Sequence, residues 1–345
     1  MSVKIAINGL GRIGRCIIRA VIESKSEDIR IVAVNGTASP EDYEVLLKYD
    51  SVHGRLSDNL SIEGDIINIG NQRIKLFSER DPALIPWDQT DAEIVFECTG
   101  KFKTKADTLK HLKGKVTKVI ISAPSDDADA TIVCGVNEDS LKPEHQVISI
   151  GSCTTNALAP ILKLLHHNIG IESGYMTTIH AYTTDQKLLD NRHKDIRRAR
   201  ACALSMIPTS TGAAKAIGLV IPELAGKFAG SAIRVPVPNV SMIDLSFIAK
   251  APTSKEQINA IIATAAQREM KDIVSVASHK LVSIDFNHNP NSSIFDPFET
   301  EVVNKTLVRI VSWYDNEWGF SNRMLDVAKI FSKVKESKCY QTLEQ

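Results

Sequence analysis

The sequence predicts a two-domain protein, in which an α/β domain on a parallel sheet precedes an α+β domain with a mostly antiparallel sheet. The chain has 345 residues, a length typical of two domains rather than one. Residues 1–152 alternate short apolar runs with amphipathic segments, as parallel sheets with covering helices do. Residues 153–319 contain longer strand-like runs with few helices between them, which indicates an antiparallel arrangement.

The first domain begins with the order strand, helix, strand. Residues 3–8 form an extended β-branched run, and a glycine-rich turn separates them from apolar residues at helical spacing. A second apolar run covers residues 29–35. The further elements predicted are a helix at 42–48, hairpin-like strands at 61–77, strands at 93–98 and 118–122, and a helix at 104–113.

The second domain opens with a helix predicted over residues 154–167, where four leucines and isoleucines recur at helical spacing. Thr253 or Ser254 is suited to cap a further helix at 254–268. The strands predicted here are 175–182, 231–235, 241–249 and 306–314. The last segment, 320–345, starts as a helix, and we assign it to the first domain. Because no flexible linker lies near residue 151, we expect the two domains to pack directly on each other.

Composition excludes several classes of function. The chain has 41 basic and 41 acidic residues, so it lacks the excess positive charge typical of proteins that bind nucleic acid or anionic membranes. Its N-terminus runs directly into a strand, without the features of a secretory leader. The six cysteines lie far apart and the histidines lack ligand spacing, so we expect reduced thiols and no metal site. These features predict a cytoplasmic protein.

A glycine-rich turn follows the first strand. Gly9, Gly11 and Gly14 form a G-x-G-x-x-G motif that opens the first helix. Such glycines permit a tight turn, a close approach of the backbone to a pyrophosphate, and close packing of helix on strand. The free N–H groups of the helix would then face the phosphates. A plain tight turn is the alternative, but the strand–turn–helix–strand context favours a dinucleotide site.

The second strand ends without the carboxylate that commonly binds the ribose 2′-hydroxyl of NAD. Gly36 stands at that position, and it offers neither a hydrogen bond to the hydroxyl nor repulsion of a 2′-phosphate. The sequence therefore predicts that NADP is accepted as well as NAD. In an alternative interpretation, Asn35 or Thr37 serves the hydroxyl.

Cys153 is the candidate nucleophile. It lies where a strand gives way to a helix, and a helix N-terminus stabilises a thiolate and lowers its pKa. His180, at the end of an apolar strand, is the candidate base. The alternative is that both are ordinary buried residues. Cys16, Cys98, Cys134 and Cys202 lie in apolar surroundings and are interpreted as core residues.

Several motifs together resemble the phosphorylating glyceraldehyde-3-phosphate dehydrogenases over nearly the whole chain. The motifs are Asn8-Gly9-Leu10-Gly11-Arg12-Ile13-Gly14-Arg15, Lys48-Tyr49-Asp50-Ser51-Val52-His53-Gly54, Ser152-Cys153-Thr154-Thr155-Asn156, His193-Lys194-Asp195-Ile196-Arg197-Arg198-Ala199-Arg200, Pro208-Thr209-Ser210-Thr211-Gly212-Ala213-Ala214-Lys215, Arg234-Val235-Pro236-Val237-Pro238-Asn239 and Trp313-Tyr314-Asp315-Asn316-Glu317. The resemblance implies a Rossmann dinucleotide-binding domain, a catalytic domain and a homotetramer. It also implies that the substrates are a phosphorylated aldehyde and inorganic phosphate. The aldehyde would be oxidised to a thioester on Cys153, and phosphate would then release the acyl group.

The resemblance also implies roles for single residues. Cys153 and His180 would be catalytic. The residues implied to bind substrate or phosphate are Ser152, Thr154, Thr183, Arg198, Thr211, Gly212 and Arg234. Those implied to bind the cofactor are Gly9, Gly11, Arg12, Ile13, Gly14, Gly36, Arg80, Ser122 and Asn316. For the arginines near position 198 the alternative is a salt-bridge cluster, and for Arg80 it is a surface charge.

The sequence departs from the family pattern in two places. Gly36 replaces an acidic residue, and Asn191-Arg192 replaces a Leu-Pro pair, so Arg192 of a neighbouring subunit could meet a 2′-phosphate. These two changes predict dual or NADP-leaning use, and the alternative is that they only weaken NAD binding slightly. The segments 285–290 and 315–320 are similar to erythrose-4-phosphate dehydrogenases, which hydrolyse their thioester. Positions 182–183 and 211–213, nearer the chemistry, follow the phosphorylating enzymes. A non-catalytic dinucleotide-binding module is a third alternative.

Overall fold

The first sheet is mostly parallel. The computed structural model describes residues 2–334. The first part of the chain contains β1 (Val3–Asn8), α1 (Arg12–Ser24), β2 (Ile29–Asn35), α2 (Pro40–Lys48), β3 (Tyr49–Asp50), β4 (Gly54–Arg55), β5 (Leu60–Glu63), β6 (Ile66–Ile69), β7 (Gln72–Phe77), β8 (Ile94–Glu97), α3 (Lys105–Thr108), β9 (Lys118–Ile121), β10 (Ala130–Thr131) and β11 (Val147–Ser149). Within the described residues, nine of these strands form one sheet in the order β10-β11-β9-β8-β1-β2-β7-β6-β5. Strands from β10 to β7 are parallel, whereas β5, β6 and β7 form an antiparallel meander. The predicted α/β class of this part is confirmed.

The central strands are apolar because both faces of the sheet are covered. Ile5 and Ile7 of β1 are fully buried. Ile5 lies opposite Ile31 of β2 on one side and Ile94 of β8 on the other. This parallel register brings the carboxyl ends of β1, β2 and β8 to one edge of the sheet, which is where ligands bind in such folds.

The second sheet is mostly antiparallel, as predicted. The later part of the chain contains α4 (Cys153–Ile169), β12 (Ile171–Ala181), β13 (Ile207–Ser210), α5 (Ala213–Val220), β14 (Phe228–Val235), β15 (Ser241–Ala249), α6 (Lys255–Ala266), β16 (Val274–Val276), β17 (Ser293–Val303), β18 (Leu307–Tyr314) and α7 (Trp318–Lys333). Seven strands of the described chain stand in the order β13-β14-β12-β15-β18-β17-β16. Only the pairs β12–β14 and β16–β17 are parallel in this sheet of described residues. Ser254 caps α6 by accepting a hydrogen bond from Gln257 N–H.

Helix α7 returns to the first sheet. Its buried residues, among them Met324 and Phe331, belong to the same apolar cluster as Ile17 and Ile18 of α1. The helix predicted from residue 320 is therefore present, and residues 335–345 lie outside the described residues. Helix α4 starts at the predicted domain boundary. The division of the chain at residue 152 stays a prediction.

The helix predicted over residues 104–113 is wrong in length. Helix α3 ends at Thr108, and a 3-10 turn over Leu109–His111 follows. The buried His111 ring explains the tighter turn, because its Nδ1 accepts a hydrogen bond from Trp87 Nε1 at 3.0 Å and its Nε2 lies 3.1 Å from Glu97. These contacts fix the ring in the core at the residue where the 3-10 turn ends.

None of the helices described between residues 2 and 334 is long and apolar enough to cross a bilayer. The five cysteines within that range, at positions 16, 98, 134, 153 and 202, are free thiols. Cys16, Cys134 and Cys202 are buried, and Cys98 is half-buried.

Candidate active site

The candidate nucleophile stands at the start of α4. Strand β11 ends at Ser149, and Gly151, with a φ of 67°, turns the chain into the helix. This left-handed conformation favours glycine. Ser152 caps the helix, since its Oγ accepts a hydrogen bond from Thr155 N–H at 3.1 Å. The Cys153 Sγ then lies 3.5 Å from His180 Nε2.

His180 is held at the carboxyl end of β12 with 4% of its surface exposed. Its Nδ1 lies 2.6 Å from the carbonyl oxygen of Ala181 and 2.9 Å from Arg234 Nη1. Arg234 Nη1 also donates to the same carbonyl at 2.9 Å. We assign the proton to Nδ1, where it is donated to the Ala181 carbonyl. The lone pair of Nε2 then faces the sulfur, which is the arrangement that a general base needs.

Burial keeps both groups of the pair neutral. It lowers the pKa of His180 to about 3, and the positive charges of Arg234 and Arg198 act in the same direction. Burial raises the pKa of the Cys153 thiol, while the charge of Arg234 and the amide of Thr154 act against this increase. The predicted lowering of the Cys153 pKa by the helix N-terminus is therefore wrong, because loss of water around the sulfur outweighs it.

Tyr314 supports the pair from behind. Its hydroxyl lies 2.9 Å from Thr154 Oγ1 and 2.8 Å from Thr178 Oγ1. The edge of its ring packs against His180, with centroids 5.9 Å apart. The Thr154 hydroxyl is thus buried against Tyr314 and does not line the cavity next to Cys153. The sequence analysis did not single out Tyr314 as a site residue.

A cavity of about 580 Å³ opens above Cys153 and His180. Its lining includes Arg12, Ile13, Ser122, Ser152, Thr183, Gln186, Arg234, Asn316 and Glu317. Two buried donors in this lining, Arg234 Nε and Gln186 Nε2, have no hydrogen-bond partner in the described chain. Buried donors are seldom left unpaired. A bound anion would give both donors a partner.

Three of the residues implied to bind a second phosphate do not line this cavity: Arg198, Thr211 and Gly212. The Arg198 guanidinium is engaged by Asp185 at 2.6 Å and by the Thr209 hydroxyl at 2.9 Å. Its charge nevertheless lowers the pKa of His180. The salt-bridge alternative therefore describes Arg198 as it stands, close enough to the site to act on it.

Asn316 has its side-chain amide oxygen fixed by a hydrogen bond. Its Oδ1 accepts a hydrogen bond from Ser241 Oγ at 2.8 Å, and Ser241 Oγ in turn accepts from Ala181 N–H at 3.0 Å. Asn316 lines the cavity, and within residues 2–334 its Nδ2 has no hydrogen-bond partner. These two hydrogen bonds couple the orientation of Asn316 to Ala181, the residue after His180. Ser241 is a further contributor that the sequence analysis missed.

A second cavity, of about 460 Å³, lies on the other side of the glycine turn. Gly9, Gly11, Gly36 and Arg80 line it. A side chain on Gly9 would collide with the backbone of Thr99, whereas one on Gly11 would project into open space. No side chain caps α1 at Gly11, so its first N–H groups are free. This turn therefore fits a pyrophosphate that passes from one cavity to the other.

Arg12, Asp50 and Glu317 join the glycine turn to the start of α7. Arg12 Nη1 lies 2.6 Å from Asp50 Oδ2, and Arg12 Nε lies 2.8 Å from Glu317 Oε1. The hydrogen bonds from Arg12 help to hold the pKa of Asp50 at about 2, below its ordinary value. Arg12 lines the first cavity, but its charge is already paired. The contribution of Glu317 was not predicted, because 305 residues separate it from Arg12.

Asn35 is not available to a cofactor. Its Nδ2 donates to Asn8 Oδ1 at 2.8 Å and to the Glu79 carbonyl at 2.9 Å, and its Oδ1 accepts from Glu79 N–H at 2.8 Å. The interpretation that Asn35 binds the ribose hydroxyl is therefore wrong. Thr37 and Arg80 remain exposed at the cavity.

One cluster of possible metal ligands occurs among the described residues: Cys16, His53 and Glu317. Glu317 is already ion-paired with Arg12. Burial raises the pKa of the Cys16 thiol well above its usual value, which disfavours the thiolate that a metal requires. We assign no metal site, and the sequence-based expectation of none stays a prediction.

A Rossmann-type strand–turn–helix beside a cysteine–histidine pair defines a class: a two-domain, dinucleotide-dependent oxidoreductase with a cysteine nucleophile. Comparison with known proteins makes the class specific. Residues 3–105 match the family model described as glyceraldehyde 3-phosphate dehydrogenase, NAD binding domain, and residues 152–316 match the C-terminal domain of the same family. The chain belongs to the glyceraldehyde-3-phosphate dehydrogenase family.

Relatives named glyceraldehyde-3-phosphate dehydrogenase match the chain over almost its full length. The glyceraldehyde-3-phosphate dehydrogenase of Xanthobacter flavus is 54% identical and covers 97% of this chain and 100% of the relative. The plasmid-encoded enzyme of Cupriavidus necator is 52% identical, over 95% of this chain and 98% of the relative. The enzyme of Geobacillus stearothermophilus is 49% identical, over the same shares, 95% and 98%.

Proposed function

We propose that this chain oxidises glyceraldehyde 3-phosphate and phosphorylates it to 1,3-bisphosphoglycerate, through a thioester on Cys153 and with NAD or NADP as hydride acceptor. The observation that carries the proposal is the 3.5 Å contact of Cys153 Sγ with His180 Nε2 beneath a cavity that contains unpaired buried donors. The family and its NAD-binding domain support the reaction class.

The first step forms a carbon–sulfur bond. Cys153 attacks the aldehyde carbon while His180 Nε2 takes the thiol proton. The imidazolium and the backbone N–H of Cys153 stabilise the oxyanion, and the proton passes to it to give a thiohemiacetal. Because burial lowers the pKa of His180 to about 3, the ring is neutral and its Nε2 lone pair is open to the thiol proton.

The second step oxidises the thiohemiacetal. His180 removes the proton of its hydroxyl as the hydride leaves the same carbon, and a thioester remains on Cys153. The bound dinucleotide supplies the hydride acceptor. Asn316, fixed through Ser241, would orient its carboxamide, and the glycine turn at the start of α1 would hold its pyrophosphate.

The third step transfers the acyl group to inorganic phosphate. A phosphate oxygen attacks the thioester carbon, and the Cys153 sulfur leaves as a thiolate that His180 can protonate. We assign the substrate phosphate to Thr183 and Arg234, and the attacking phosphate to Ser152, Thr211, Gly212 and Arg198. The unpaired Arg234 Nε supports the first assignment. The position of Ser152 in the cavity lining, next to Cys153, supports the second.

The assembly proposed is a homotetramer. Five large apolar side chains between residues 188 and 206 are at least 72% exposed: Leu188, Leu189, Ile196, Leu204 and Met206. Such a patch on one segment is typical of an interface. Arg192, exposed in the same segment, could reach a neighbouring subunit's adenosine cavity and pair with a 2′-phosphate. Light scattering coupled to size exclusion is expected to give four times the chain mass.

The proposed location is the cytoplasm. The free state of all the described cysteines supports a reducing compartment. The proposed partners are the phosphorylated aldehyde and inorganic phosphate, with no role for nucleic acid or membranes.

Initial rates test the proposed function. Purified protein is assayed with glyceraldehyde 3-phosphate and with erythrose 4-phosphate, with NAD and with NADP, each with and without phosphate. We expect glyceraldehyde 3-phosphate to be the better substrate and turnover to depend on phosphate. Rapid turnover of erythrose 4-phosphate without phosphate would show the hydrolysing activity instead. Cofactor binding with no turnover of either aldehyde would show a non-catalytic module.

A further inference from the structure

The space next to Gly36 is already filled. A Cβ built on Gly36 would lie 2.8 Å from Tyr43 Cζ and closer still to the phenol oxygen, whereas real side chains do not approach that near. The φ of Gly36 is not positive, so the backbone does not require glycine here. Gly36 is therefore explained by the ring of Tyr43, which stands where a residue 36 side chain would be.

Tyr43 is firmly placed. It lies in the first turn of α2, which Ser39 and Asp42 cap reciprocally. The ring is 4% exposed and belongs to the apolar cluster under the first sheet. The phenol oxygen accepts a hydrogen bond from Ala38 N–H at 3.1 Å. A new side chain at position 36 could therefore displace Tyr43 only by disturbing the core.

The same residue faces the second cavity. Tyr43 lines it together with Gly36 and Thr37. Within residues 2–334 the phenol hydrogen has no acceptor, since the recorded bond uses the oxygen. Asn35, another residue of this lining, already has its side-chain amide engaged by Asn8 and Glu79.

The charges around this cavity favour an anion. Arg15, Arg80 and Lys101 contribute three positive charges to its lining, against the single carboxylate of Glu79. Arg15 Nε is buried without a partner in the described chain. A phosphate on the adenosine ribose would meet attraction here rather than repulsion.

We propose that Tyr43 contacts the adenosine ribose of either cofactor in this chain, by taking the place of the missing residue 36 side chain and donating its phenol hydrogen to the 2′-oxygen. A hydroxyl donor can bind either a 2′-hydroxyl or a 2′-phosphate, whereas a carboxylate accepts from the first and repels the second. Dual use of NAD and NADP then follows from the pair Gly36 and Tyr43, not from Gly36 alone. The inference rests on the proposed function only for the identity of the cofactors.

Calorimetric titration of Tyr43→Phe tests the hydrogen bond. The variant keeps the ring and removes the hydroxyl. We expect the Kd of NAD and of NADP to rise about 3- to 10-fold, the effect of one hydrogen bond, and the Kd of 2′-deoxy-NAD to change less than about twofold. Equal weakening of all three ligands, or of none, would overturn the proposal.

Substitution of Gly36 tests whether the Tyr43 ring occupies the space of a residue 36 side chain. Gly36→Asp alone is expected to lower the Tm and to weaken NAD binding, because the new side chain meets Tyr43. Gly36→Asp combined with Tyr43→Leu is expected to regain NAD binding and to weaken NADP binding about 10-fold or more. Gly36→Asp that binds NAD as tightly as the original protein, with an unchanged Tm, would overturn the proposal.

The role of Tyr43 and the proposed function can be refuted separately. An enzyme that turns over the aldehyde normally while Tyr43→Phe leaves every Kd unchanged would refute the role of Tyr43 alone. A protein that binds NAD with the expected Tyr43 dependence but oxidises neither aldehyde would refute the proposed function alone.

Discussion

The two cavities that meet at the glycine turn differ in how firmly their polar groups are held. Next to the first cavity, His180 and Asn316 are buried, and each is fixed by a side chain or carbonyl that is itself bound. At the second cavity, Thr37 and Arg80 are exposed, whereas Tyr43, Asn8 and Asn35 are buried.

This difference separates two tasks. Covalent chemistry needs atoms held to within a fraction of an ångström, because misplacement of a base or nucleophile costs rate steeply. Binding of the adenosine half needs shape and charge, and exposed residues can change without disturbing the catalytic pair. We therefore expect changes at the first cavity to alter kcat greatly and changes at the second to alter mainly cofactor affinity.

The largest effect is expected for Cys153→Ser. Loss of the nucleophile should lower kcat about 1000-fold or more, while the Kd of NAD changes little. Steady-state kinetics and calorimetry measure the two quantities. Cys134→Ser, the same change in a buried thiol outside the cavity, is the control and should retain kcat. Near-normal turnover of Cys153→Ser would contradict the covalent scheme.

The second largest effect is expected for His180→Asn. Its kcat should be lower by about 100- to 10,000-fold, the usual contribution of a general base. Because burial raises the Cys153 pKa, the thiol without its acceptor should ionise only at higher pH. The rate of iodoacetamide labelling against pH measures this shift. His167→Asn, an exposed histidine on α4, is the matched control. An unchanged labelling profile in His180→Asn would separate the two residues functionally.

Arg234→Leu is expected to raise the KM for the aldehyde about 10- to 100-fold, since a charged hydrogen-bond partner is lost. It should also change the pH dependence. The positive charge of Arg234 lowers the His180 pKa, so its removal raises that pKa, and His180 becomes protonated and inactive as a base at higher pH. The acid limb of kcat/KM should move toward neutrality.

Two companion variants make the Arg234 result specific. Arg234→Lys retains the charge and should keep the acid limb near its original position, although a lysine cannot reproduce the paired donors. Arg73→Leu, at an exposed position of β7, should leave the profile unchanged. If the acid limb of kcat/KM moved as far in Arg234→Lys as in Arg234→Leu, the charge of Arg234 could not be what sets the His180 pKa.

The smallest effect is expected at the second cavity. Arg80→Ala should raise the KM for NAD about two- to threefold and for NADP more, with kcat unchanged, because an exposed charge contributes little. Kinetics with each cofactor at saturating aldehyde check this. A fall in kcat comparable to that of His180→Asn would break the separation between the two cavities.

The sequence predicted the strongly patterned elements well. Strand β15 occupies the predicted residues 241–249, where buried and half-buried residues alternate. Strands β13 and β17 were missed, because β13 has four residues with Pro208 among them, and β17 has an irregular register between Asp296 and Glu301. Such strands form because they pair with neighbouring strands. The residues of those neighbours lie elsewhere in the sequence, so the local pattern does not indicate the strand.

The site was predicted unevenly, for a related reason. Cys153 and His180 were singled out because each stands at the end of a strand beside a motif, and the structure brings them together. The direction of the Cys153 pKa was wrong, because the extent of burial cannot be obtained from the residues around it. Tyr43 and Glu317 were missed because their contacts depend on how α2 and α7 pack.

One measurement tests the central proposal directly. The protein is mixed with glyceraldehyde 3-phosphate and NAD in the absence of phosphate, quenched in acid, digested and examined by mass spectrometry. We expect the acyl group on the peptide that contains Cys153, and its release when phosphate is added before the quench. Formation of NADH with the acyl group on another residue, or with no acylated peptide at all, would contradict the proposal that Cys153 carries the reaction.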